Sequence, residues 1–213
     1  MGRNLEKDAV EMAAKNQRIM EEGFRIFAER TIDKVKMTDV AEAAGIGIAS
    51  LYRYYSSKPK LVIAISTWVW ERYTAELIKK LETSENAGLT AAEKYDLYLE
   101  FFLDMYRDHR DMLRFNQFFN VYLQSEGISD EQMKPFTDLI RALEKRFEAT
   151  CRQGLEDGTL RMELSEERMF SVTAHLMLAA VTRYAVGLAY TDGTDAEKEL
   201  ELQKELLFKR FTT

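Results

Sequence analysis

The sequence predicts an all-α protein. Only 2 prolines and 10 glycines occur among its 213 residues, so few positions would interrupt a helix. Its apolar residues recur every three or four positions over long stretches, which is the spacing of one helix face rather than the alternation of a strand. With 46% apolar residues the chain can bury a substantial core, as one mid-sized domain or as a small domain joined to a larger one.

Charge is distributed unevenly along this helical chain. The formal net charge is -6, which by itself argues against a nucleic-acid partner. Residues 1–60 nevertheless carry 11 Lys and Arg against 9 Asp and Glu, whereas the remainder carries 19 against 27. Because the distribution of charge matters more than its total, a mildly basic N-terminal end on an acidic body is compatible with nucleic-acid binding at that end.

The first informative element is Met37–Tyr55, which has the pattern of a helix-turn-helix. Ala41 is small enough for two short helices to cross closely, and Gly45 permits the backbone geometry of a tight turn. Ile46 and Leu51 are placed to fasten the second helix onto the first. The outer face of the second helix is therefore predicted to be free.

That free face carries hydrogen-bonding, stacking and cationic groups, which suit base edges and phosphates. They are Ser50, Tyr52, Arg53 and Tyr54, with Lys58 just beyond. A solvated amphipathic helix pair would have a partly similar pattern, because Tyr and Arg are common on helix surfaces. The surrounding residues favour the nucleic-acid interpretation.

Taken as a whole, Arg18–Lys58 resembles the tetracycline-repressor (TetR) family of transcriptional regulators. Ile26–Glu29 (IFAE) resembles the end of that family's first helix, and Asp39–Ile46 (DVAEAAGI) resembles its second helix and turn. Leu51–Lys58 (LYRYYSSK) resembles a recognition helix that ends in a Tyr-x-Tyr-aromatic run and a Ser-Lys pair.

The resemblance implies a division of labour on the recognition helix. Leu51 and Tyr55 would belong to the core. Phosphates would be held by Tyr52, Tyr54 and Lys58, where a lysine neutralises backbone charge and releases counterions. Bases or their sugars would face Gly47, Ile48, Ala49, Ser50 and Arg53.

Three residues depart from the family pattern. Thr31 stands where the family often has a helix-ending glycine, and Lys36 stands where it often has a threonine. Gly47 replaces a frequent serine cap, at a cost of a few tenths of a kcal/mol. Lys36 can replace a hydroxyl contact to DNA with a charged one. Thr38 is expected to be either the N-cap of the second helix or a DNA contact.

A long helix is predicted next, over Pro59–Leu81. Apolar residues recur at helical spacing from Leu61 to Leu77, and proline is tolerated in a first turn because the amides there lack intrahelical partners. Glu85–Leu89 is predicted to be a loop.

Capping boxes predict three helix starts in the body, since a Ser or Thr oxygen and a Glu or Gln three residues later satisfy the free amides of a first turn. The pairs are Thr90 with Glu93, Ser129 with Gln132, and Thr194 with Glu197. Further breaks are predicted at Ser125–Gly127, Gly158–Leu164 and Thr191–Gly193.

The stretch Tyr95–Tyr122 is dense in aromatic and methionine side chains on more than one helix face. Each of them separately is best explained as core, but together they exceed what one narrow helix stripe needs. They therefore predict a cavity for a small apolar or aromatic ligand. The predicted ligand-binding residues are Tyr98, Phe102, Met105, Phe115, Phe118, Phe119, Tyr122 and His175.

The last two long helices are predicted at Glu166–Tyr190 and Asp195–Phe211. The first is apolar nearly all round and rich in small residues, so it is expected to be buried on most sides. In the TetR family these helices pair with their copies in a four-helix interface. Because one short recognition helix contacts too few bases for selectivity, the resemblance implies a stable homodimer on a palindromic operator.

The implied architecture is an N-terminal three-helix helix-turn-helix DNA-binding domain, residues 1–58, and a larger C-terminal helical ligand-binding and dimerisation domain, residues 59–213. Ligand in the second domain would move the helix Pro59–Leu81 and change the separation of the two recognition helices. That separation must match about one DNA turn, roughly 34 Å, for both helices to enter successive major grooves.

The chain is expected to be cytoplasmic and without a membrane span. Met1–Lys15 is charged and lacks the apolar core of a signal peptide, and the apolar region Ala174–Tyr190 is interrupted by His175 and Arg183. The single Cys151 excludes an internal disulfide and is expected to be a small buried side chain.

An enzyme is the main alternative class, because helical bundles can hold di-iron sites or redox cofactors. His109 and His175 lack a Glu three residues earlier, and there is no His-Glu-x-x-His. The Gly45-x-Gly47 pair continues into Ala and Ser with no preceding strand. We therefore expect no catalysis, no metal and no cofactor, although His175 can hydrogen-bond a ligand.

A helical interaction protein that has lost DNA binding is the second alternative. The acidic body favours it, whereas Tyr52, Tyr54 and Lys58 argue against it, because such a protein would not need phosphate-binding groups. The prediction is a ligand-responsive transcriptional regulator, with repression favoured over activation by family analogy.

Overall fold

In the computed structural model the described residues, 5–83, 86, 88–188 and 195–213, are predominantly α-helical. Their one extended pairing is an isolated antiparallel bridge between Leu160 and Thr212. The all-α prediction is therefore confirmed. The helices are α1 (Leu5–Arg30), α2 (Met37–Ala43), α3 (Ile48–Tyr54), α4 (Lys58–Glu82), α5 (Ala91–Asp108), α6 (Arg110–Glu126), α7 (Asp130–Asp157), α8 (Glu166–Ala185) and α9 (Ala196–Phe211).

Two of the predicted capping boxes begin helices of the body. The Thr90 amide donates to a carboxylate oxygen of Glu93 at 2.8 Å, and the Glu93 amide donates back to the Thr90 hydroxyl at 3.3 Å. Ser129 and Gln132 form the equivalent pair at the start of α7. Thr194 lies outside the described residues. The N-cap of α9 is Asp195, whose carboxylate accepts a hydrogen bond from the Lys198 amide.

The predicted end of α8 at Tyr190 was wrong, because the helix ends at Ala185. Gly187 has φ 74° and occupies the left-handed region that closes a helix. Its amide donates to the carbonyl of Tyr184 at 3.2 Å, and the Leu188 amide donates to that of Arg183 at 3.0 Å, which together form a Schellman motif. Local backbone geometry therefore stops α8 within an otherwise apolar sequence.

Other predicted bounds are close to those of the structure. The helix predicted over Pro59–Leu81 is α4, one residue longer at each end. Gly127 and Gly158 follow α6 and α7 with positive φ, as the predicted breaks require. The predicted loop Glu85–Leu89 lies partly outside the described residues, and the predicted break Thr191–Gly193 lies wholly outside them.

Thr31 shows how α1 ends without the glycine that the family pattern favours. It directly follows the helix and has φ 72°, the one positive φ among the described non-glycine residues. A side chain with a branched Cβ is strained in this region, by roughly 1–2 kcal/mol. The chain therefore adopts at Thr31 the left-handed conformation that glycine favours.

The described residues pack as two compact units. The first comprises residues up to Trp70 together with Phe115–Thr137, and the second comprises Glu71–Arg114 together with Asp138–Thr213. These units are defined by packing within the chain. The division into functional domains at residues 1–58 and 59–213 stays a prediction.

The first unit has an aromatic core that α1 shares with α6. Phe27 stacks on Phe115 at a centroid distance of 6.5 Å, and Phe115 stacks on Phe119 at 6.2 Å. Trp70 donates its indole N–H to the side-chain oxygen of Asn116 at 3.3 Å, which satisfies two buried polar groups. These contacts fix the end of α1 on which the helix-turn-helix is built.

In the second unit, α5 packs against α8 and α9 through Tyr95. Its hydroxyl lies 3.1 Å from the Thr173 hydroxyl on α8, and its ring meets Phe211 of α9 edge-on at 6.1 Å. Gly154 of α7 is covered by Leu160, because a Cβ added at Gly154 would come within 2.6 Å of three Leu160 side-chain atoms. Close packing therefore requires a glycine here.

An ion-pair network joins α5 to α9 in the same unit. Arg107 contacts Glu100 on its own helix and Glu197 and Glu201 on α9, and Lys204 of α9 contacts Glu100 as well. Burial raises the pKa of Glu100, but hydrogen bonds from Lys204 and Arg107 outweigh it and hold that pKa below its ordinary value. Glu100 is thus ionised at neutral pH as the shared acceptor of two cations.

Cys151 is buried on α7 and its sulfur lies 3.9 Å from that of Met169 on α8. Burial raises the pKa of its thiol to about 12. Among the described residues, no helix combines the length and hydrophobicity needed to span a bilayer.

Candidate nucleic-acid interface

The turn between α2 and α3 is built from backbone hydrogen bonds. Gly45 has φ 63°, and its amide donates to the Glu42 carbonyl at 3.0 Å. The Ile46 amide donates to the Ala41 carbonyl at 2.9 Å, which completes a Schellman motif at the end of α2. Ala41 of α2 and Leu51 of α3 are both buried, whereas the opposite face of α3 is exposed. The predicted helix-turn-helix over Met37–Tyr55 is confirmed.

The outward face of α3 has the composition predicted for a base-reading surface. Gly47 is the N-cap of the helix, as predicted. Tyr52 is 49% exposed, and Ser50 and Tyr54 are half-buried at the flanks. Small residues at the start of the helix permit close approach to base edges. The exposed members of the face are Gly47, Ile48, Ala49, Tyr52 and Arg53.

At the start of α2, the structure excludes Thr38 as the N-cap, and its contact with DNA stays a prediction. Lys36 is the N-cap, and its amide donates to the Asp39 carboxylate at 2.8 Å. A lysine side chain has no acceptor, so only this half of a capping box exists. Thr38 lies exposed in the first turn rather than at the cap. Its hydroxyl and the exposed Lys36 side chain are therefore both accessible to a phosphate backbone.

Tyrosines at the end of α3 are held by α1. The Tyr55 hydroxyl donates to the side-chain oxygen of Asn16 at 2.7 Å, and the Tyr54 hydroxyl lies 3.5 Å from the Met12 carbonyl. Burial raises the pKa of Tyr55 and the Asn16 hydrogen bond opposes that rise. Asn16 precedes the residues that carry the family resemblance, and no local pattern marks it as a partner of Tyr55.

Lys58, at the start of α4, is partly withdrawn from solvent. Its ammonium lies 3.4 Å from the Asp33 carbonyl oxygen and 5.3 Å from the ring centre of Tyr122. Burial lowers the pKa of Lys58, while Asp33, Glu126 and Asp39 oppose the change. A phosphate contact would require the ammonium to leave these partners or to extend past them.

The predicted ligand-binding residues divide between the two compact units. In the first, Phe115, Phe119 and Tyr122 are buried, and Phe115 packs edge-on against Phe24 of α1 at 5.5 Å. Phe118 is half-buried. These contacts are those of a core.

In the second unit Tyr98, Phe102 and Met105 of α5 are buried, whereas His175 is exposed on α8. The Tyr98 ring meets Phe147 at 5.0 Å, and burial raises its pKa to about 12. His175 lies 3.3 Å from the Ser171 hydroxyl, on the exposed side of its helix. The ligand-binding role of the whole set stays a prediction.

A cleft between α4 and α5 was not predicted. Its enclosed volume is about 20 Å³, roughly the space of one water molecule, and the cleft is partly open to solvent. Of the predicted ligand-binding residues it contains Met105. Helical periodicity identifies the inward face of α4 but not which residues of α5 lie opposite, so the pairing had no local signal. The lining residues are Tyr73, Glu76, Leu77, Lys80, Leu97, Phe101, Asp104, Met105 and His109.

The geometry of α2 and α3 is that of a helix-turn-helix, the motif found in many DNA-binding regulators. Residues 19–65 match the family model of the bacterial regulatory proteins of the tetR family. Over 193 residues, 86% of this chain and 88% of the relative, the sequence is 22% identical to the HTH-type transcriptional repressor KstR2 of Mycobacterium tuberculosis. For residues 19–65 this match confirms the resemblance to the TetR family of transcriptional regulators found in the sequence.

Solved structures share the fold over nearly the whole chain. The regulator FadR from Bacillus subtilis, in complex with stearoyl-CoA, has a TM-score of 0.70 at 16% identity and covers 91% of this chain and 97% of its own. A protein from Saccharomonospora viridis, in complex with choline, also has a TM-score of 0.70, at 17% identity over 95% and 99% of the two chains.

Proposed function

We propose that this regulator is a repressor that binds a palindromic operator as a homodimer and is released by a small apolar or aromatic effector. The observation that supports DNA reading most strongly is the outward face of α3. It combines small residues at the helix start with an exposed Arg53 and the half-exposed Tyr52. Arginine suits guanine edges and tyrosine hydroxyls suit phosphates, so a single helix can supply both kinds of contact.

Exposed apolar side chains on α8 and α9 support the homodimer. Val172 and Leu176 are 37% and 55% exposed and lie one turn apart on α8. Leu202 and Leu206 are 58% and 69% exposed and lie one turn apart on α9. Aligned aliphatic side chains on two helices leave a surface that is stabilised by a second copy. We refer to these four residues as the aliphatic face.

In such a homodimer, effector-controlled release depends on the separation of the two recognition helices. Two recognition helices can enter successive major grooves only at a separation of roughly 34 Å. An effector releases DNA insofar as it binds the mismatched arrangement better. Proteins of this fold are known with ligands as different as stearoyl-CoA and choline, so the fold alone does not specify the effector. For this chain, the aromatic side chains of α5 favour an apolar or aromatic ligand.

The first test is a salt titration of binding to the DNA that flanks the gene, with wild type and a Tyr52→Ala, Lys58→Ala double variant. We expect salt-sensitive binding by wild type. The variant should bind at least about tenfold more weakly. The slope of its log affinity against log salt concentration should decrease by the contribution of about one phosphate contact.

Lys79→Ala is a matched control, because Lys79 is an exposed lysine near the end of α4. Thermal unfolding of the double variant shows whether the loss of Lys58 contacts lowers stability rather than affinity. Equal weak binding by wild type and the double variant would contradict DNA reading and favour a helical interaction protein. Equal affinity for full and half palindromes would contradict dimeric recognition.

A further inference from the structure

We infer that the cleft between α4 and α5 binds the cationic group of an organic ammonium compound whose body is apolar or aromatic. This inference rests on the proposed function, because it assigns a place and a charge to the effector. The cleft lies entirely within the second compact unit, between Tyr73–Lys80 of α4 and Leu97–Met105 of α5, with His109 just beyond the end of α5.

The cleft combines an apolar floor with aromatic walls. Leu77 and Met105 are buried at its base. The rings of Tyr73 and His109 are in contact, with centres 4.3 Å apart and planes tilted by 49°, and the half-buried Phe101 provides a third ring. Aromatic faces attract cations, above all cations that are weakly hydrated, such as alkylammonium groups.

Acidic groups outnumber basic ones at the rim. Glu76 and Asp104 are carboxylates, and Lys80 is the one lysine or arginine among the lining residues. The Lys80 ammonium lies 2.9 Å from a carboxylate oxygen of Asp104. This ion pair shows that Asp104 can hold an ammonium group at the cleft. A bound organic cation would take the same place, and Lys80, which is exposed, can move into solvent.

The rim carboxylate also connects the cleft to α9. Asp104 lies 3.6 Å from the guanidinium of Arg107, which contacts Glu197 and Glu201 of α9. On the other side its partner Lys80 belongs to α4, which begins directly after the recognition-helix segment. A ligand that competes for Asp104 therefore alters ion pairs on the helix that follows the DNA-binding element and on a helix of the aliphatic face.

The experiment is a calorimetric titration at low ionic strength with benzyltrimethylammonium, in the absence of DNA. We expect measurable binding that weakens with salt. Neopentylbenzene, in which carbon replaces the charged nitrogen, and the anion benzenesulfonate should bind at least about tenfold more weakly. Equal binding of the three probes would overturn the inference.

Variants test the charges separately. Glu76→Gln and Asp104→Asn should each weaken benzyltrimethylammonium binding by about threefold to tenfold, whereas Lys80→Met should strengthen it by removing the competing ammonium. Asp108→Asn is the matched control, because Asp108 is an exposed carboxylate at the end of α5 that does not line the cleft. Weaker binding by Lys80→Met, or an equal loss by Asp108→Asn, would count against the site.

Because these titrations contain no DNA, they fail or succeed independently of operator binding. If the protein binds the cation but not DNA, the inferred cation site stands and the proposed repressor function is contradicted. If the protein binds DNA but the probe neither binds the protein nor changes its affinity for DNA, the proposed repressor stands and this effector class is overturned.

Discussion

The outward face of α3 and the aliphatic face of α8 and α9 are both exposed, but they differ in what they present. On α3, exposed small residues stand beside Arg53 and Tyr52, whose polar ends reach solvent. On α8 and α9, the side chains of leucines such as Leu176 and Leu206 contain no polar atom, and these residues are more exposed than Tyr52. Water solvates the first surface well and the second poorly.

This difference separates two kinds of recognition on one chain. A surface that is well hydrated without a partner is stable in the unbound state. When it binds a polyanion, phosphates replace its bound ions and water. An aliphatic surface is stabilised only by continuous contact with another apolar surface. We therefore expect the second surface to be permanently paired and the first to bind reversibly. Two variants test that contrast, and two further variants test the packing and the backbone strain of the helices that carry the surfaces.

The largest effect is expected from Leu202→Glu with Leu206→Glu. Two carboxylates on the aliphatic face would be buried without partners in a dimer, so the variant should sediment as a monomer at micromolar concentration. Its operator affinity should fall by roughly 100-fold or more, because the two half-sites are then bound independently. Leu155→Glu, at a 61% exposed position on α7, is the control. If the double variant is still a dimer, the aliphatic face is not the dimer interface.

Arg53→Ala should lower operator affinity by about 30-fold, the effect of losing one good base contact. Sedimentation should still show a dimer, since Arg53 lies on α3. A panel of operators with single base changes sharpens the result. Loss of discrimination at one position indicates a base contact, whereas uniform weakening would assign Arg53 to phosphate.

Gly154→Ala tests the packing of the second unit, where the new Cβ would meet Leu160. We expect a loss of about 1.5 kcal/mol in the free energy of unfolding, because the crowded atoms include Leu160 Cβ and cannot simply rotate away. Denaturant unfolding measures the loss. Gly88→Ala is the control, with no atom near its added Cβ, and suppression by Leu160→Gly, which removes all three crowded atoms, would confirm the contact.

Thr31→Gly should have the smallest effect and the opposite sign. Glycine adopts φ 72° without the strain of a branched side chain, and this gain exceeds its larger entropy loss on folding. Stability should therefore rise by about 0.5–1 kcal/mol. Gly127→Ala places a side chain at φ 59° and should lower stability by a similar amount. A destabilised Thr31→Gly would show that the threonine side chain makes a contact that outweighs the strain.

The contrast between regions also explains how much of the structure the sequence predicts. The helix-turn-helix is encoded locally: Gly45, Ala41 and Leu51 lie within eleven residues and each has one geometric task. The caps at Thr90 and Ser129 are local as well. Such patterns can be recognised in a single sequence, because the interacting backbone and side-chain groups lie within one or two helical turns of each other.

The body depends on partners that are distant in the chain. Glu100 meets Lys204, and Tyr95 meets Thr173, at separations that no local spacing reveals. Sequence reasoning grouped Phe115 and Tyr98 in one ligand set because both are aromatic, whereas the structure places them in different compact units. It also assigned His175 to the same set, although that side chain is exposed. Composition predicts an aromatic core but not the arrangement of its members.

The buried Cys151 gives this chain a built-in kinetic probe. A thiol whose pKa is raised to about 12 is almost wholly protonated at neutral pH, and a maleimide or disulfide reagent cannot reach it while α7 stays packed on α8. The labelling rate of the natural protein therefore reports how often these helices separate. Any molecule that tightens or loosens the packing of these helices should change that rate, so effectors can be screened by mass spectrometry without introducing a further cysteine.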